Sequence, residues 1–272
     1  MRPLSVVIIT FNEETNIVRC IRSLQEVADE VIVLDSYSTD RTVELARGEG
    51  AIVHQERFRG YIGQKNMAMW LATHDLVLSM DADEALDPQL STAIVHAKKE
   101  ASKLAFSMNR ATCYCGHFIR HGLWYPSKKI RLFDRRIAEW GGLNPHDRIE
   151  LRKGTDVFHL AGDILHYSFN SPEDLAWQNN RMSSISASSL YVAGRRSNIF
   201  KIIIRPAWAF LNGYILRAGF LDGFDGFTIA VHTSHQVFMK WAKLYRLQRF
   251  NRRNEITTIG RPSSREGKTA ER

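Results

Sequence analysis

A short apolar run that ends in acidic residues is the most informative chemical feature of this chain. The run Leu76–Met80 is followed directly by Asp81, Asp83 and Glu84. An apolar run of this length, bounded by polar residues, is typical of a buried strand. Open α/β sheets bind ligands beyond the carboxyl ends of their strands. Hard oxygen donors there suit Mg²⁺ or Mn²⁺ beside a substrate phosphate. The alternative for an isolated Asp-x-Asp is a polar exit from strand to loop.

Strand and helix patterns alternate in the part of the chain that precedes this run. Three further buried strands are predicted at Leu4–Thr10, Glu30–Leu34 and Ala51–His54. Helical spacing of apolar residues lies between them, at residues 14–25 and 41–49. This alternation, with two strands ending in Asp, predicts an α/β fold with a mostly parallel sheet flanked by helices. A dinucleotide dehydrogenase is disfavoured, because no Gly-x-Gly-x-x-Gly follows the first strand.

Four motifs together carry a family resemblance. They are Ser5–Glu14, Asp35–Thr42, Gly63–Asn66 and Asp81–Glu84. Their order and spacing resemble those of the inverting family 2 glycosyltransferases, whose fold is the Rossmann-like GT-A fold. Within that family the likeness is greatest to lipopolysaccharide core glycosyltransferases of the WaaE type. It extends over about residues 4–250.

The resemblance implies a nucleotide-sugar donor, most simply UDP-glucose, and assigns residues to its nucleotide. Thr10 and Glu13 would line the nucleoside pocket, and Asp35 would contact the uracil. Lys65 would approach the base or the diphosphate, and Asp81 would contact the ribose. The acceptor implied is a lipid-linked glycan such as the lipopolysaccharide inner core. A polyprenyl phosphate or a capsule glycan remains the alternative acceptor.

The reacting end of the donor is assigned in the same way. Asp83 and His166 would hold Mg²⁺ or Mn²⁺ against the diphosphate, where the metal neutralises charge on the leaving group. Arg131 lies among apolar residues and needs a partner there, which would be the diphosphate or a site carboxylate. Asp147 would act as the general base, in a place where the family has Glu, with Glu150 as the alternative base.

Composition narrows the protein classes that remain. The 272 residues suit one α/β domain with appendages. Because only three cysteines are present, a disulfide framework is not expected, and a reducing compartment fits better. The formal net charge of +8 leaves a nucleic acid, an anionic membrane or a phosphorylated substrate as partner. A basic nucleic-acid-binding protein is therefore the rival function, although no motif of that class is found and no nucleic acid is expected. A scaffold that kept the fold but lost its chemistry is a second rival.

Two clusters in the middle of the chain allow structural and functional interpretations. Cys113, Cys115, His117 and His121 contain ligand types for zinc, but Cys-x-Cys lacks the usual spacing. If they lie in a strand, the first three would share one face. The Trp124–Tyr125 pair could form a platform for a sugar ring or could cover the core.

The C-terminal third combines apolar and basic residues. Because Ile199–Leu211 is very apolar but interrupted by charges and a proline, it suits the membrane interface, and no spanning helix is expected. A later helix would place Trp241 and its apolar neighbours on the bilayer, beside a basic stripe formed by Lys240, Lys243, Arg246 and Arg249. The alternative is a helix that packs on its own domain with the basic face in solvent. We therefore predict a catalytic domain at 1–194, membrane-associating amphipathic helices at 195–251 and a disordered tail at 252–272. The expected location is cytoplasmic, peripheral on the inner face of the bacterial inner membrane.

Overall fold

The computed structural model describes residues 1–143 and 146–259. Its N-terminal part alternates strand and helix as the sequence predicts. The elements are β1 (Leu4–Thr10), α1 (Ile17–Ser23), β2 (Glu30–Asp35), α2 (Thr42–Gly48), β3 (Ile52–Gln55), α3 (Tyr61–Leu71) and β4 (Leu76–Asp81). The four predicted strands are confirmed to within one residue at most ends. The first helix is shorter than predicted, because residues 14–16 form a turn.

The middle of the chain is mainly strand. Its elements are β5 (Glu84–Leu86), α4 (Pro88–Ala97), β6 (Ala105–Tyr114), β7 (His117–Phe118), β8 (Lys128–Asp134), β9 (Ala138–Leu143), β10 (His146–Leu151) and β11 (Phe158–Phe169). Within the described residues they complete a nine-stranded sheet of order β3-β2-β1-β4-β8-β6-β11-β5, with β7 paired to β6. A separate ribbon is formed by β9 and β10. The half from β3 to β4 is parallel, and β8 joins it in antiparallel orientation.

Helices cover both faces of the parallel half, and this explains its continuous apolar strands. In β1, Val6 and Ile8 belong to one buried cluster and Val7 belongs to another. Successive side chains of a strand point to opposite faces, so a strand that is buried on both faces must be apolar throughout. Each fully buried aliphatic side chain of this kind contributes about 1.5–3 kcal/mol.

The cysteine-rich segment does not form the single strand face that the sequence allowed. Strand β6 ends at Tyr114, and Cys115 lies in a turn with φ of 49° before β7. Cys113 is buried while Cys115 is exposed. His117 Nδ1 lies 3.2 Å from Asp225 Oδ2. In the described part of the chain, which includes this whole segment, no three His, Cys, Asp or Glu side chains are arranged to hold a metal ion.

Helices dominate the C-terminal part of the chain. They are α5 (Pro172–Val192), α6 (Ile199–Phe210), a π-helical segment at Leu211–Leu216, a 3₁₀ turn at Gly219–Asp222 and α7 (Gly223–Ile259). Two compact units result: residues 1–175 with 211–230, and residues 176–210 with 231 onward. Of the tail predicted to be disordered, residues 252–259 continue α7, and residues 260–272 lie outside the described residues.

The second unit has its own small core, which corrects one membrane prediction. Trp241 and Leu244 of α7 are buried with Ala187 and Ile202. The Lys243 ammonium donates to the Asn180 carbonyl oxygen at 2.8 Å. The prediction that Trp241 contacts the bilayer is therefore wrong, because an amphipathic helix shows the same pattern whether its apolar face meets lipid or a neighbouring helix.

Helix α6 exposes several large apolar side chains. They are Ile199, Phe200, Ile203, Ile204 and Trp208. The continuous helical stretch Ile199–Leu216 is, by length and composition, apolar enough to cross a membrane. This differs from the sequence expectation, because the helix continues through the π-helical segment and carries only Lys201 and Arg205 as charges.

Candidate active site

The carboxyl ends of β1, β2 and β4 bring three predicted site residues to one edge of the sheet. Thr10 is the register partner of Asp35, and Ile9 on the same strand is the partner of Asp81. Because neighbouring parallel strands have their carboxyl ends at the same edge of the sheet, these three residues lie near one another. The predicted edge site is thus present as a geometric arrangement.

Asp81 is held between two cations. Its Oδ1 lies 3.1 Å from Lys65 Nζ, and its Oδ2 accepts a hydrogen bond from Arg131 Nη2 at 2.9 Å. Burial alone would raise the pKa of the Asp81 carboxyl, but Arg131 and Lys65 outweigh it and hold that pKa well below its ordinary value. Asp81 is therefore a carboxylate at any physiological pH.

Glu84 completes this buried charge network, although no role was predicted for it. Its side chain is 0% exposed, and its Oε1 accepts from Arg131 Nη2 at 3.0 Å. Its Oε2 accepts the Asp81 backbone N–H at 2.9 Å. Burial lowers the pKa of the Arg131 guanidinium, but Glu84 and Asp81 together raise it above its ordinary value. The predicted carboxylate partner of Arg131 is thus present, and it is a pair.

Asp147 joins the same charge network by pairing with Lys65, although the two residues are 82 positions apart in the sequence. The Lys65 ammonium lies 2.8 Å from Asp147 Oδ2 and 4.4 Å from the centroid of the Trp140 ring. The neighbouring Asn66 bonds the Trp140 backbone reciprocally: its Nδ2 donates to the carbonyl oxygen at 2.9 Å, and its Oδ1 accepts the N–H at 2.8 Å. Helix α3 is thereby fastened to the β9–β10 ribbon.

Glu150, the alternative base, lies on the other face of β10 from Asp147, since side chains alternate along a strand. Its Oε1 is 3.1 Å from Arg148 Nη2, and both side chains are exposed. Asp147 lines the cleft described below, whereas Glu150 does not. Asn144 and Pro145, which precede this segment, lie outside the described residues.

The two predicted metal ligands lie side by side. His166 Nε2 is 3.1 Å from Asp83 Oδ2, and the Tyr167 backbone N–H donates to the Asp83 carbonyl oxygen at 2.9 Å. The Glu13 carboxyl lies close enough to Asp83 and His166 to interact with their charges. Burial raises the pKa of its carboxyl, a hydrogen bond from Asn16 lowers it, and the negative charge of Asp83 raises it again.

Asp35, which the resemblance assigns to the uracil, forms hydrogen bonds with its own chain. It is fully buried, and its Oδ2 accepts the Ser38 backbone N–H at 2.9 Å and Gln55 Nε2 at 3.0 Å. The Ser38 hydroxyl donates to its Oδ1. Beside it, the buried Thr10 hydroxyl has no hydrogen-bond partner among the described residues. In this structure Asp35 fixes the loop after β2, and Thr10 retains a free hydroxyl.

Trp124 and Tyr125, the pair that could form a platform for a sugar ring or cover the core, make separate contacts within the fold. Trp124 stacks on Phe169 with ring centroids 5.4 Å apart, within a small core cluster. The Tyr125 hydroxyl donates to Asp163 Oδ1 at 3.0 Å. Both side chains therefore cover and stabilise the fold here.

A cleft of about 650 Å³ lies against Asp81 and Asp147. This volume is in the range of small-molecule sites. The cations that line it outnumber the two carboxylates; they are Lys65, Arg110, Lys128, Lys129, Arg131 and Arg148. Sequence reasoning missed Arg110, Lys128 and Lys129 as site residues. The one available signal was that Lys128 and Lys129 lead into the Arg131 segment.

Comparison with known proteins identifies the family. The family model described as glycosyl transferase family 2 matches residues 5–164. An uncharacterized glycosyltransferase of Rickettsia typhi is 34% identical over 91% of this chain and 88% of its own length. The lipopolysaccharide core biosynthesis glycosyltransferase LpsC of Rhizobium meliloti is 27% identical over 89% of this chain and 92% of its own.

A solved structure agrees at the level of the fold. The mannosyltransferase PcManGT of Pyrobaculum calidifontis, in complex with GDP-Man and Mn²⁺, superposes with a TM-score of 0.54 over 90% of this chain and 87% of its own, at 16% identity. The chain belongs to glycosyltransferase family 2 and has the GT-A fold.

Proposed function

We propose that this enzyme transfers a hexose from a UDP-sugar, most simply UDP-glucose, to a lipid-linked glycan such as the lipopolysaccharide inner core. The observation that carries the proposal is the convergence of Asp81, Asp147, Lys65 and Arg131 at one cleft. Similarity to LpsC supports the acceptor class. Membership of an enzyme family also favours transfer chemistry over the rival nucleic-acid-binding function.

The charged residues account for departure of the nucleotide diphosphate. Lys65 and Arg131 provide positive charge beside Asp81, where charge develops on the leaving group. Asp83 and His166 would hold a divalent cation, since Asp83 supplies the carboxylate oxygen that Mg²⁺ and Mn²⁺ prefer and His166 Nε2 lies 3.1 Å from it. When bound, such an ion would neutralise further charge on the diphosphate.

Asp147 is the proposed general base. Its Oδ2 lies 2.8 Å from Lys65 Nζ, and its side chain lines the cleft. The acceptor hydroxyl would lose its proton to Asp147 as it attacks the anomeric carbon from the face opposite the diphosphate. A single displacement of this kind inverts the configuration, so an α-linked donor gives a β-linked product.

A direct test compares donors and acceptors in one assay. Purified enzyme with Mn²⁺ is given radiolabelled UDP-glucose, UDP-galactose or GDP-mannose, with either deep-truncated lipopolysaccharide or polyprenyl phosphate as acceptor. We expect label in the lipopolysaccharide from a UDP-hexose, as a β-linkage by NMR. Label from GDP-mannose alone, or transfer only to polyprenyl phosphate, would contradict the donor or the acceptor proposed.

We further propose that the enzyme is peripheral on the cytoplasmic face of the bacterial inner membrane. Support comes from the exposed aromatic and aliphatic side chains of α6, together with Lys201 and Arg205 on the same helix. Aromatic and basic residues together suit an anionic bilayer surface. A lipid-linked acceptor would then be presented at the surface where the enzyme binds.

A further inference from the structure

Three further cations line the cleft. Arg110 is on β6, and Lys128 and Lys129 begin β8. The two strands are antiparallel, with Asn109 opposite Lys128 and Met108 opposite Lys129. The Arg110 backbone N–H donates to the Ser127 carbonyl oxygen at 3.0 Å. This pairing brings Arg110 beside the start of β8, and all three cations, called here the cationic wall, line the cleft.

The positive charge of the cationic wall is poorly compensated by the protein. Among the described residues, no carboxylate forms an ion pair with Lys128 or Lys129. Arg110 Nη1 lies 3.5 Å from Glu84 Oε1, but that oxygen already accepts a shorter bond from Arg131. Burial lowers the pKa of the Lys129 ammonium, and the charges of Arg110 and Arg131 lower it further. An anion at this place would relieve that repulsion.

Unused hydrogen-bond donors point to the same kind of ligand. In the described part of the chain, three buried N–H groups around the cleft have no partner: Nε of Arg110, Nε of Arg131 and Nε1 of Trp140. Arg131 and Trp140 are only 3% and 5% exposed, and both line the cleft. Guanidinium, ammonium and indole groups donate and do not accept. A ligand that carries negative charge and accepts several hydrogen bonds complements this donor-rich lining.

We propose that the cationic wall binds an anionic substituent, a phosphate monoester or a carboxylate, on the glycan acceptor. The inference rests on the proposed transferase function and adds the charge of the acceptor to it. Under the proposed function, Lys65, Arg131 and a divalent ion would face the donor diphosphate, which leaves the charge of the cationic wall for the acceptor. With Asp147 at the same cleft, an anion on the wall would hold the acceptor hydroxyl near its base.

Binding of simple anions to the full-length enzyme tests this without any turnover. Calorimetry follows glucose 6-phosphate, galacturonate or glucose added to protein in Mg²⁺, both without UDP and at saturating UDP. We expect saturable binding of at least one anionic sugar and none of glucose. Preference for one of them distinguishes a phosphate from a carboxylate on the acceptor. The double variant Lys128→Gln/Lys129→Gln should bind the preferred sugar at least 10-fold more weakly, with UDP affinity unchanged.

A charge-matched control is Lys99→Gln/Lys153→Gln, at exposed positions that do not line the cleft. It should bind the anionic sugars as the wild type does. Anion binding that disappears when UDP is present would assign the wall to the donor and overturn the proposal. Equal loss in both double variants, or no binding of either anion, would do the same. Absence of UDP binding would instead count against the proposed function, so the two failures are distinguishable.

Discussion

Replacing Arg131 by methionine removes the cation that two buried carboxylates share. Its Nη2 lies 2.9 Å from Asp81 Oδ2 and 3.0 Å from Glu84 Oε1, and Glu84 is wholly buried. Methionine fills much of the same volume, so the loss is mainly electrostatic. Removing one member of a buried ion pair costs about 3–5 kcal/mol, because it leaves a buried charge without its partner. We expect a loss in that range for Arg131→Met.

Urea denaturation measures this loss as a change in the free energy of unfolding. In a domain of this size, each kcal/mol lowers Tm by about 2–4 °C. The double variant Arg131→Met/Glu84→Gln should lose less than Arg131→Met alone, because the neutral amide keeps an acceptor for the Asp81 N–H. The matched control is Arg148→Met, whose side chain is 73% exposed in its pair with Glu150, and it should change stability by less than about 0.5 kcal/mol. Similar small losses in Arg131→Met and Arg148→Met would refute the reasoning.

Four other predictions concern the metal, the base, pH and the membrane. Asp83→Ala should abolish the Mn²⁺ dependence of UDP binding in calorimetry while the fold persists. Asp147→Asn should lower turnover by about 10²-fold or more with donor affinity retained, since the amide has no basicity. The native pKa of Asp81 lies below its ordinary value of about 3.9, so the carboxylate stabilises the fold fully above about pH 3.9, and this stabilisation is lost as pH falls from there through the native pKa. Asp81→Asn should therefore be less stable than wild type at pH 7, and the difference should shrink as pH falls below about 3.9. Ile203→Glu/Ile204→Glu should reduce co-sedimentation with anionic vesicles and leave UDP binding intact.

Each of these has an outcome that counts against it. Unchanged Mn²⁺ dependence in Asp83→Ala would remove the metal assignment. Near-normal turnover of Asp147→Asn, with low turnover of Glu150→Gln, would move the base to Glu150. A constant stability difference between Asp81→Asn and wild type from pH 7 to pH 3 would contradict the ion-pair argument. If wild-type protein does not co-sediment with anionic vesicles at low salt, the membrane proposal is wrong.

The parallel half of the sheet could be predicted because its signals are local. An apolar run bounded by polar residues determines β1 and β4, and their ends determine where Asp81 lies. The bond between Lys65 and Asp147 had no such signal, since it depends on how the β9–β10 ribbon meets α3. Both residues were predicted as site residues from the family resemblance and not from hydrophobic periodicity.

The misread features share a physical cause. An amphipathic pattern says that one helix face is apolar but not what covers it, so Trp241 was assigned to lipid when it packs in the second unit. Alternate spacing of Cys113 and Cys115 implied one strand, but the left-handed backbone at Cys115 ends it. The cationic wall was overlooked because Arg110 and Lys129 become neighbours only through the antiparallel pairing of β6 and β8.

The fastening of α3 to the β9–β10 ribbon has a consequence for chimeric enzymes. Asn66 matches the Trp140 backbone as both donor and acceptor, and the adjacent Lys65 pairs with Asp147. If the ribbon were replaced by that of a relative to alter acceptor choice, the side chains of α3 would no longer match the strand that they contact. The portable piece is therefore the ribbon together with the dipeptide Lys65–Asn66, two segments far apart in the gene that must be exchanged as one.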